Sequence, residues 1–288
     1  MPDVADKLAT TTRFSFNCFN SSTHLGLSPT LPQQIAAAAR AGYDLIGPDI
    51  PSLLAHEAAG LAPEQIREDM QKHGVECYEL VPLSLSNDRE STRRSLATTA
   101  RLAPLIGAKH VLATVRGPVD EMVVEGLRRS AGTLGDLGVA VSVEFMPMTE
   151  LVSLDDAIRL LERTNDERVG IVIDVWHFVL SGSQWSTLAA LPVERIGFVQ
   201  LDDAALDAKG TSAEDCMDRR LLPGEGSFPL AEFRDALNAK GYRGVVSVEV
   251  LSRAWRSRPI GEFAEASLRS ARATWNVPVN GVDDGQQH

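Results

Sequence analysis

Short apolar runs and longer amphipathic stretches alternate along the chain. Strand-like runs begin near Phe14, Asp44, Glu76, His110, Ala140, Val169, Ile196 and Val245. Between and after them, apolar positions recur at helical spacing over residues 31–41, 63–73, 90–106, 121–137, 228–240 and 261–275. Gly42, Gly74, Gly107, Gly138 and Gly241 stand just past five of these stretches, where a helix ends most easily on a left-handed residue. Pro32 and Pro63 sit near helix starts, where a missing N–H costs nothing. Strand-plus-helix units at roughly 30-residue spacing predict an α/β protein, a single-domain (β/α)8 barrel. An open doubly wound sheet is the competitor. It usually carries a Gly-rich first turn, and the first strand here runs instead into Cys18-Phe19-Asn20-Ser21-Ser22-Thr23-His24. The barrel is expected over 13–277, after an N-terminal extension at 1–12 and before a disordered tail at 278–288.

Four of the runs stop on an oxygen-bearing side chain: Val141-Ser142-Val143-Glu144, Ile171-Val172-Ile173-Asp174, Gly197-Phe198-Val199-Gln200 and Val246-Ser247-Val248-Glu249. Strand side chains alternate in direction, so an inward Glu144 carries Ser142 inward with it. The same phase pairs Val172 with Asp174, Phe198 with Gln200, and Ser247 with Glu249. All four ends then meet at the carboxyl rim of strands five to eight, where barrels carry their active sites. Carboxylates crowded without a cation repel and titrate upward, and a divalent metal resolves that conflict. An all-oxygen set favours one hard or intermediate dication, Mn²⁺ ahead of Mg²⁺ or Co²⁺, over structural zinc. The negative balance of such a site suits a neutral, oxygen-rich small molecule. A hydroxy-ketone bound there would have its carbonyl polarised and its enediolate stabilised, with Glu144 and Glu249 facing each other as proton-transfer groups.

Other residues fall around this rim. His177 lies three positions after Asp174 and is expected to hold substrate or to orient a ligand. Arg116 ends the fourth strand and can reach a substrate oxygen. Trp176, Phe19 and Phe145 are candidate apolar walls, and His24 and His56 sit in rim loops. The longest gap between strands separates the seventh from the eighth. Its polar loop, from Asp202 to Phe228, contains the turn Pro223-Gly224-Glu225-Gly226 and must cross the catalytic face.

The net charge of −11 speaks against a nucleic-acid partner and against an anionic membrane surface. No apolar run approaches the ~20 residues of a membrane span, and the N-terminus lacks the regions of a signal peptide. Three scattered cysteines point to reduced thiols and a cytoplasmic location. Exposed barrel faces allow a homo-oligomer.

Taken together, Ser142-Val143-Glu144, Asp174-Val175-Trp176-His177, Val199-Gln200-Leu201-Asp202, the segment from Asp218 through Arg220 to Gly226, and Ser247-Val248-Glu249 resemble the xylose isomerase-like TIM barrels. That family holds sugar epimerases, inosose isomerases and dehydratases, dehydroshikimate dehydratases and endonuclease IV. The resemblance implies Glu144, Asp174, Gln200 and Glu249 as metal ligands, Glu144, Glu249 and His177 as catalytic groups, and Arg220 as an arm over the substrate. Arg116, Trp176 and Glu225 are expected on the substrate side as well. Gln200 stands where many epimerases have His, as in the dehydroshikimate dehydratases and some inosose enzymes. Arg220 replaces a His of endonuclease IV, and Thr114-Val115-Arg116 offers no metal-binding histidine, which argues against a nuclease site. Met146 and Asp202 occupy positions where the dehydratases have basic groups, which weighs against an anionic substrate. The expected activity is a metal-dependent isomerase or epimerase of a keto sugar or cyclitol. A lyase of the dehydroshikimate or inosose type and a non-catalytic sugar-binding barrel are the alternatives.

Overall fold

The structure, a computed structural model, describes residues 12–27 and 30–275. The expected terminal segments, 1–12 and 278–288, lie outside these residues save for Thr12. In chain order the strands are β1 Phe14–Asn17, β2 Leu45–Gly47, β3 Glu76–Cys77, β4 Glu79–Ser86, β5 His110–Arg116, β6 Ala140–Glu144, β7 Val169–Asp174, β8 Ile196–Leu201, β9 Asp203–Ala204, β10 Arg220–Leu221 and β11 Val246–Val248. The helices are α1 Leu31–Ala41, α2 Ile50–Ala58, α3 Pro63–His73, α4 Arg89–Ile106, α5 Glu121–Gly135, α6 Leu154–Thr164, α7 Val175–Leu180, α8 Trp185–Ala190, α9 Ala213–Asp218, α10 Leu230–Ala239, α11 Arg253–Arg256 and α12 Ile260–Trp275. No helix among the described residues is long and apolar enough to cross a membrane.

The main sheet runs β3-β2-β1-β11-β8-β7-β6-β5-β4, with every pair parallel. β3 and β4 are two pieces of one bent strand, so the order returns on itself as a (β/α)8 barrel. Tyr78 N donates to Ile46 O at 2.9 Å and Val81 N to Pro48 O at 3.2 Å, closing the ring. The strand-like run expected to begin near Glu76 is longer than a single straight strand. The strand bends at Tyr78, shifts register between Leu80 and Leu83, and continues to Ser86. Pro82 lies in that shift, where a residue without an N–H is tolerated because the ladder is already interrupted. α6 was also not anticipated. It opens on Ser153, whose hydroxyl accepts from Asp156 N, and it buries Leu154, Ala157, Leu160 and Leu161.

Apolar side chains between barrel and helices form the large core, which includes Phe16, Ile35, Val143 and Ile173. Inside the barrel, Val81, Leu112, Val172 and Phe198 make a separate small cluster. Polar residues share that interior. His110 Nε2 lies 2.7 Å from Ser142 Oγ, and burial pushes this histidine down to about 4, so it stays neutral. Glu79 is fully buried. It accepts hydrogen bonds from Ser15 Oγ at 2.7 Å and Ser247 Oγ at 2.6 Å. Burial raises its carboxyl to about 7, against the opposing pull of the two hydroxyls. The bare backbone of Gly47 makes room for it: a Cβ there would stand 2.4 Å from the Glu79 carboxyl carbon.

Gly47→Ala should therefore cost about 1–3 kcal/mol of unfolding free energy, the usual penalty for overfilling a packed interior. Gly261→Ala, in α12 with open space around its missing Cβ, is the comparison and should be neutral or slightly stabilising. Urea unfolding of the two variants decides the matter. Equal midpoints would mean that Glu79 is not pinned against β2.

Candidate active site

Each acidic group at the rim is aimed by the backbone that carries it. Asp174, the last residue of β7, caps α7. Its Oδ1 accepts from Trp176 N at 2.8 Å, which leaves Oδ2 facing the barrel axis. One turn of α7 brings His177 back over the rim. Its Nε2 stands 3.5 Å from Asp174 Oδ2 and 3.8 Å from Glu144 Oε1. Glu144, Asp174 and His177 each offer a ligand atom, and these atoms lie within 4.8 Å of one another. Gln200 is level with Asp174 in the β7–β8 register. Glu249 follows β11 directly, and its Oε1 accepts from Asn17 Nδ2 at 3.0 Å. The long loop forms the antiparallel pair β9–β10, which drives Arg220 inward. Arg220 Nη1 donates to Asp202 Oδ2 at 2.6 Å and to Asp174 Oδ2 at 2.9 Å, and lies 3.3 Å from Glu249 Oε2. Its Nε donates to Cys216 O at 3.0 Å.

One guanidinium thus serves a cluster with more negative charge than it can balance. Burial first, then the negative charge of Glu249 and Asp174, lifts the Glu144 carboxyl well above the usual range. Burial lifts Asp202 in the same way, while Arg220 pulls it down. Burial also raises Glu249 to about 7, against the pull of Arg220. His177 is pushed down to about 4 by burial and so presents a neutral ring. Several buried atoms have no partner among the described residues: Glu144 Oε1, Asp202 Oδ1, His177 Nδ1 and both amide atoms of Gln200. Such orphans are costly unless something binds them. Excess carboxylate and an unpartnered amide oxygen at one rim fit a divalent cation. The donor set is not purely oxygen, because the His177 nitrogen stands within the same reach.

A cavity of about 170 Å³ opens at this rim, lined by Glu144, His177, Arg220, Glu249 and Arg116 among others. Asp174 and Gln200 lie beneath it, fully buried. Phe19 and His24 also line it, as expected of rim residues. Four residues expected near the site lie away from the cavity lining. Trp176 is fully buried and lies outside the cavity lining. Its ring packs 5.2 Å from the Arg220 guanidinium and edge-on to Phe228, because the first turn of α7 points it back beneath the arginine. Glu225 is exposed at the tip of its turn, away from the cavity. Phe145 belongs to the outer core, and His56 lies on α2 outside the cavity lining. Sequence reasoning also missed Asn17, Glu79 and Asp203, and the ion pair of Asp202 with Arg220. Asp203 organises the loop: its carboxylate accepts from Gly224 N, Gly226 N and Phe228 N at 2.9–3.0 Å. Asn17 carried a usable signal, since Phe14-Ser15-Phe16-Asn17 repeats the pattern of Val246-Ser247-Val248-Glu249.

A profile of the xylose isomerase-like TIM barrel family matches residues 35–273. The 3-dehydroshikimate dehydratase of Pseudomonas aeruginosa is 29% identical over 257 residues, covering 85% of this chain and 40% of that protein. The chain therefore spans about two fifths of the length of that relative. Inosose isomerase of Bacillus velezensis is 26% identical over 286 residues, covering 91% of this chain and 96% of that protein. Among solved structures, the IOLI protein with a bound zinc atom superposes with a TM-score of 0.81 at 21% identity, covering 92% of this chain and 98% of that one. D-allulose 3-epimerase from Methylomonas sp., in complex with D-allulose, gives 0.69 at 16%, covering 91% and 97%. These structural likenesses speak to the fold.

The raised carboxyls set a sign for pH dependence. Glu144, Asp202 and Glu249 hold protons more tightly folded than unfolded. Their contribution to stability is complete below the unfolded values near 4–4.5, and it is lost as pH rises through the folded ones, about 7 for Glu249. His110 and His177 act oppositely, but only between about 4 and their unfolded value of about 6.5. Above about pH 6.5 the carboxyls therefore dominate, and a dication competes with protons for them. Mn²⁺ should raise the thermal midpoint of metal-free protein more at about pH 8 than at about pH 6.5, the stabilisation at a hundredfold excess over Kd being about 2.7 kcal/mol. Differential scanning fluorimetry reads this directly, and a gain that is equal at both pH values or larger at the lower one contradicts it.

Proposed function

The chain belongs to the xylose isomerase-like TIM barrel family, and we propose that it is a divalent-metal-dependent isomerase or epimerase of a keto sugar or cyclitol. The observation that carries this reading is the pair of buried glutamates, Glu144 and Glu249, lining one cavity with both carboxyls raised. One of them can act as the base while the other, once protonated, acts as the acid. The base takes the proton from the carbon next to a carbonyl, and the acid returns one to the neighbouring carbon or to the opposite face. Arg220 is held by Asp174 and Asp202 through Nη1 and by Cys216 through Nε and Nη2 and still lines the cavity, so one Nη2 N–H is left for a substrate oxygen. Neutral His177 can hold a hydroxyl.

Glu144, Asp174, Gln200 and Glu249 are the residues that would hold the cation, with the His177 nitrogen in reach. When bound, the cation supplies Lewis-acid polarisation of a carbonyl oxygen. Mn²⁺ and Co²⁺ suit a mixed oxygen and imidazole set, and the zinc found in the IOLI structure makes Zn²⁺ a third ion to try.

A lyase is the second reading. The 3-dehydroshikimate dehydratase is 29% identical over most of this chain, and Gln200 points the same way. The same two glutamates would serve, one as base and the other as acid to a departing β-hydroxyl. Inosose and 3-dehydroshikimate are the two compounds to test with Mn²⁺-loaded protein. Solvent deuterium entering recovered substrate or its isomer, without loss of water, supports the isomerase. A growing absorbance of a conjugated product supports the lyase. Absence of both reactions together with absence of metal binding leaves a sugar-binding barrel.

Glu249→Gln should lower turnover at least ~100-fold, the usual share of a positioned acid or base. The thermal midpoint should not fall, because a neutral side chain relieves the crowded charge. Normal turnover by this variant would remove Glu249 from the mechanism.

A further inference from the structure

The metal-side cavity is not closed. It shares Phe19, His24, Pro82 and Arg116 with a second cavity of about 400 Å³ that extends away from the carboxylates, toward α4. The chemistry changes across that boundary. The inner cavity has Glu144 and Glu249 in its lining, whereas the outer one has Arg94 and Arg116 and no carboxylate among the described residues lining it. In a chain of net charge −11, two guanidiniums facing one cavity without an acid is an unexpected local balance.

Arg116 stands at the carboxyl end of β5, is exposed, and has no hydrogen-bond or ion-pair partner among the described residues. Arg94 is held only by a 3.3 Å contact to Glu90 Oε1, and Glu90 is already engaged at 2.8 Å by both Nε and Nη2 of Arg93. Three hydroxyls, those of Ser84, Ser91 and Thr98, line the same cavity and make no hydrogen bond among the described residues. Free guanidinium forks with neutral hydroxyl donors beside them are the groups that bind planar or tetrahedral oxyanions.

We propose that the outer cavity is an anion subsite, and that the substrate is a polyhydroxylated carbonyl compound bearing a carboxylate or phosphate that Arg116, aided by Arg94, reads. This rests on the reading of the inner cavity as the reacting end. It reverses the expectation of a neutral substrate drawn from Met146 and Asp202. Those two positions follow the ligands on β6 and β8, whereas the cations here come from β5 and α4. The arrangement sorts the substrate by charge: an anionic group is repelled by Glu144 and Glu249 and attracted by Arg116, so the carbonyl end points inward.

The test is binding rather than turnover, so it can fail or succeed independently of the proposed reaction. With Mn²⁺-loaded full-length protein, calorimetry measures quinate, myo-inositol 1-phosphate and myo-inositol, three cyclohexane polyols that differ in charge. At least one anion should bind about tenfold or more tightly than myo-inositol, the size of one charge-assisted hydrogen bond, and which one does so separates carboxylate from phosphate. Arg116→Gln should erase that advantage, weakening the favoured anion at least tenfold more than it weakens myo-inositol. Arg94→Gln should reduce it less. Equal affinities for all three, no binding by either anion, or an advantage that survives the double Arg94→Gln and Arg116→Gln replacement overturns the subsite. If the anion advantage holds and neither inosose nor 3-dehydroshikimate reacts, the subsite stands and the reaction reading falls.

Discussion

Four buried carboxylates, Glu144, Asp174, Asp202 and Glu249, share one buried guanidinium, and the rest of the site is arranged around that imbalance. An unpaired ion in a protein interior is costly enough that the group neutralises unless something compensates it. Here compensation is partial. Arg220 bonds to Asp202 and Asp174, Asn17 donates to Glu249, and the first turn of α7 donates to Asp174. The remaining charge shows as carboxyls pushed upward and as orphaned oxygens. A fold of ordinary stability retains such a feature only if a ligand relieves it, so the imbalance and the inferred cation are two views of one constraint.

The barrel interior extends the same logic below the rim. Ser15, Ser142 and Ser247 stand two residues beneath Asn17, Glu144 and Glu249, so alternation delivers a polar layer directly under these rim residues. Two of those serines hold Glu79, and the third meets His110. Glu79 in turn adds to the negative field at Glu249, helping to raise its carboxyl. Gly47, by leaving space for Glu79, belongs to the active site's foundation although it touches nothing in the cavity. The packing link and the electrostatic link therefore run through the same residue.

Much of this was legible because a parallel barrel turns sequence alternation into height and direction. Strand ends carrying Glu144, Asp174, Gln200 and Glu249 could be placed at one rim from spacing alone, and the overlong segment before β11 marked the loop that delivers Arg220. What escaped has physical reasons. Glu79 lies inside a strand that bends at Tyr78, so no strand-end rule reaches it. Asn17 obeys the rule as Gln200 does, but it ends the first strand, outside the consecutive set of strands five to eight. Trp176 and Glu225 were assigned from their neighbours' positions along the chain. Side-chain direction departs from those positions: α7 starts at Val175 and turns Trp176 under the arginine, while the Asp203-bound turn carries Glu225 outward. Asp203 looked like an ordinary loop acid because its three backbone partners lie more than twenty residues away.

The two sides of the mouth also differ in a way that no single residue reveals. Strands β6, β7, β8 and β11 bring acids and an amide to the axis, whereas β5 and α4 bring guanidiniums to the adjoining cavity. Separation of charge across a mouth of low polarity makes a field, and a field orients a dipolar ligand before any contact specific to its carbons forms. Orientation matters here because the two glutamates are equivalent in kind. Which one acts as base depends on which face of the substrate each meets, and that is decided by how the substrate is turned. On the proposed reading, Arg116 therefore governs stereochemical outcome as well as affinity: by fixing the far end of the substrate, it fixes the carbon that lies between Glu144 and Glu249.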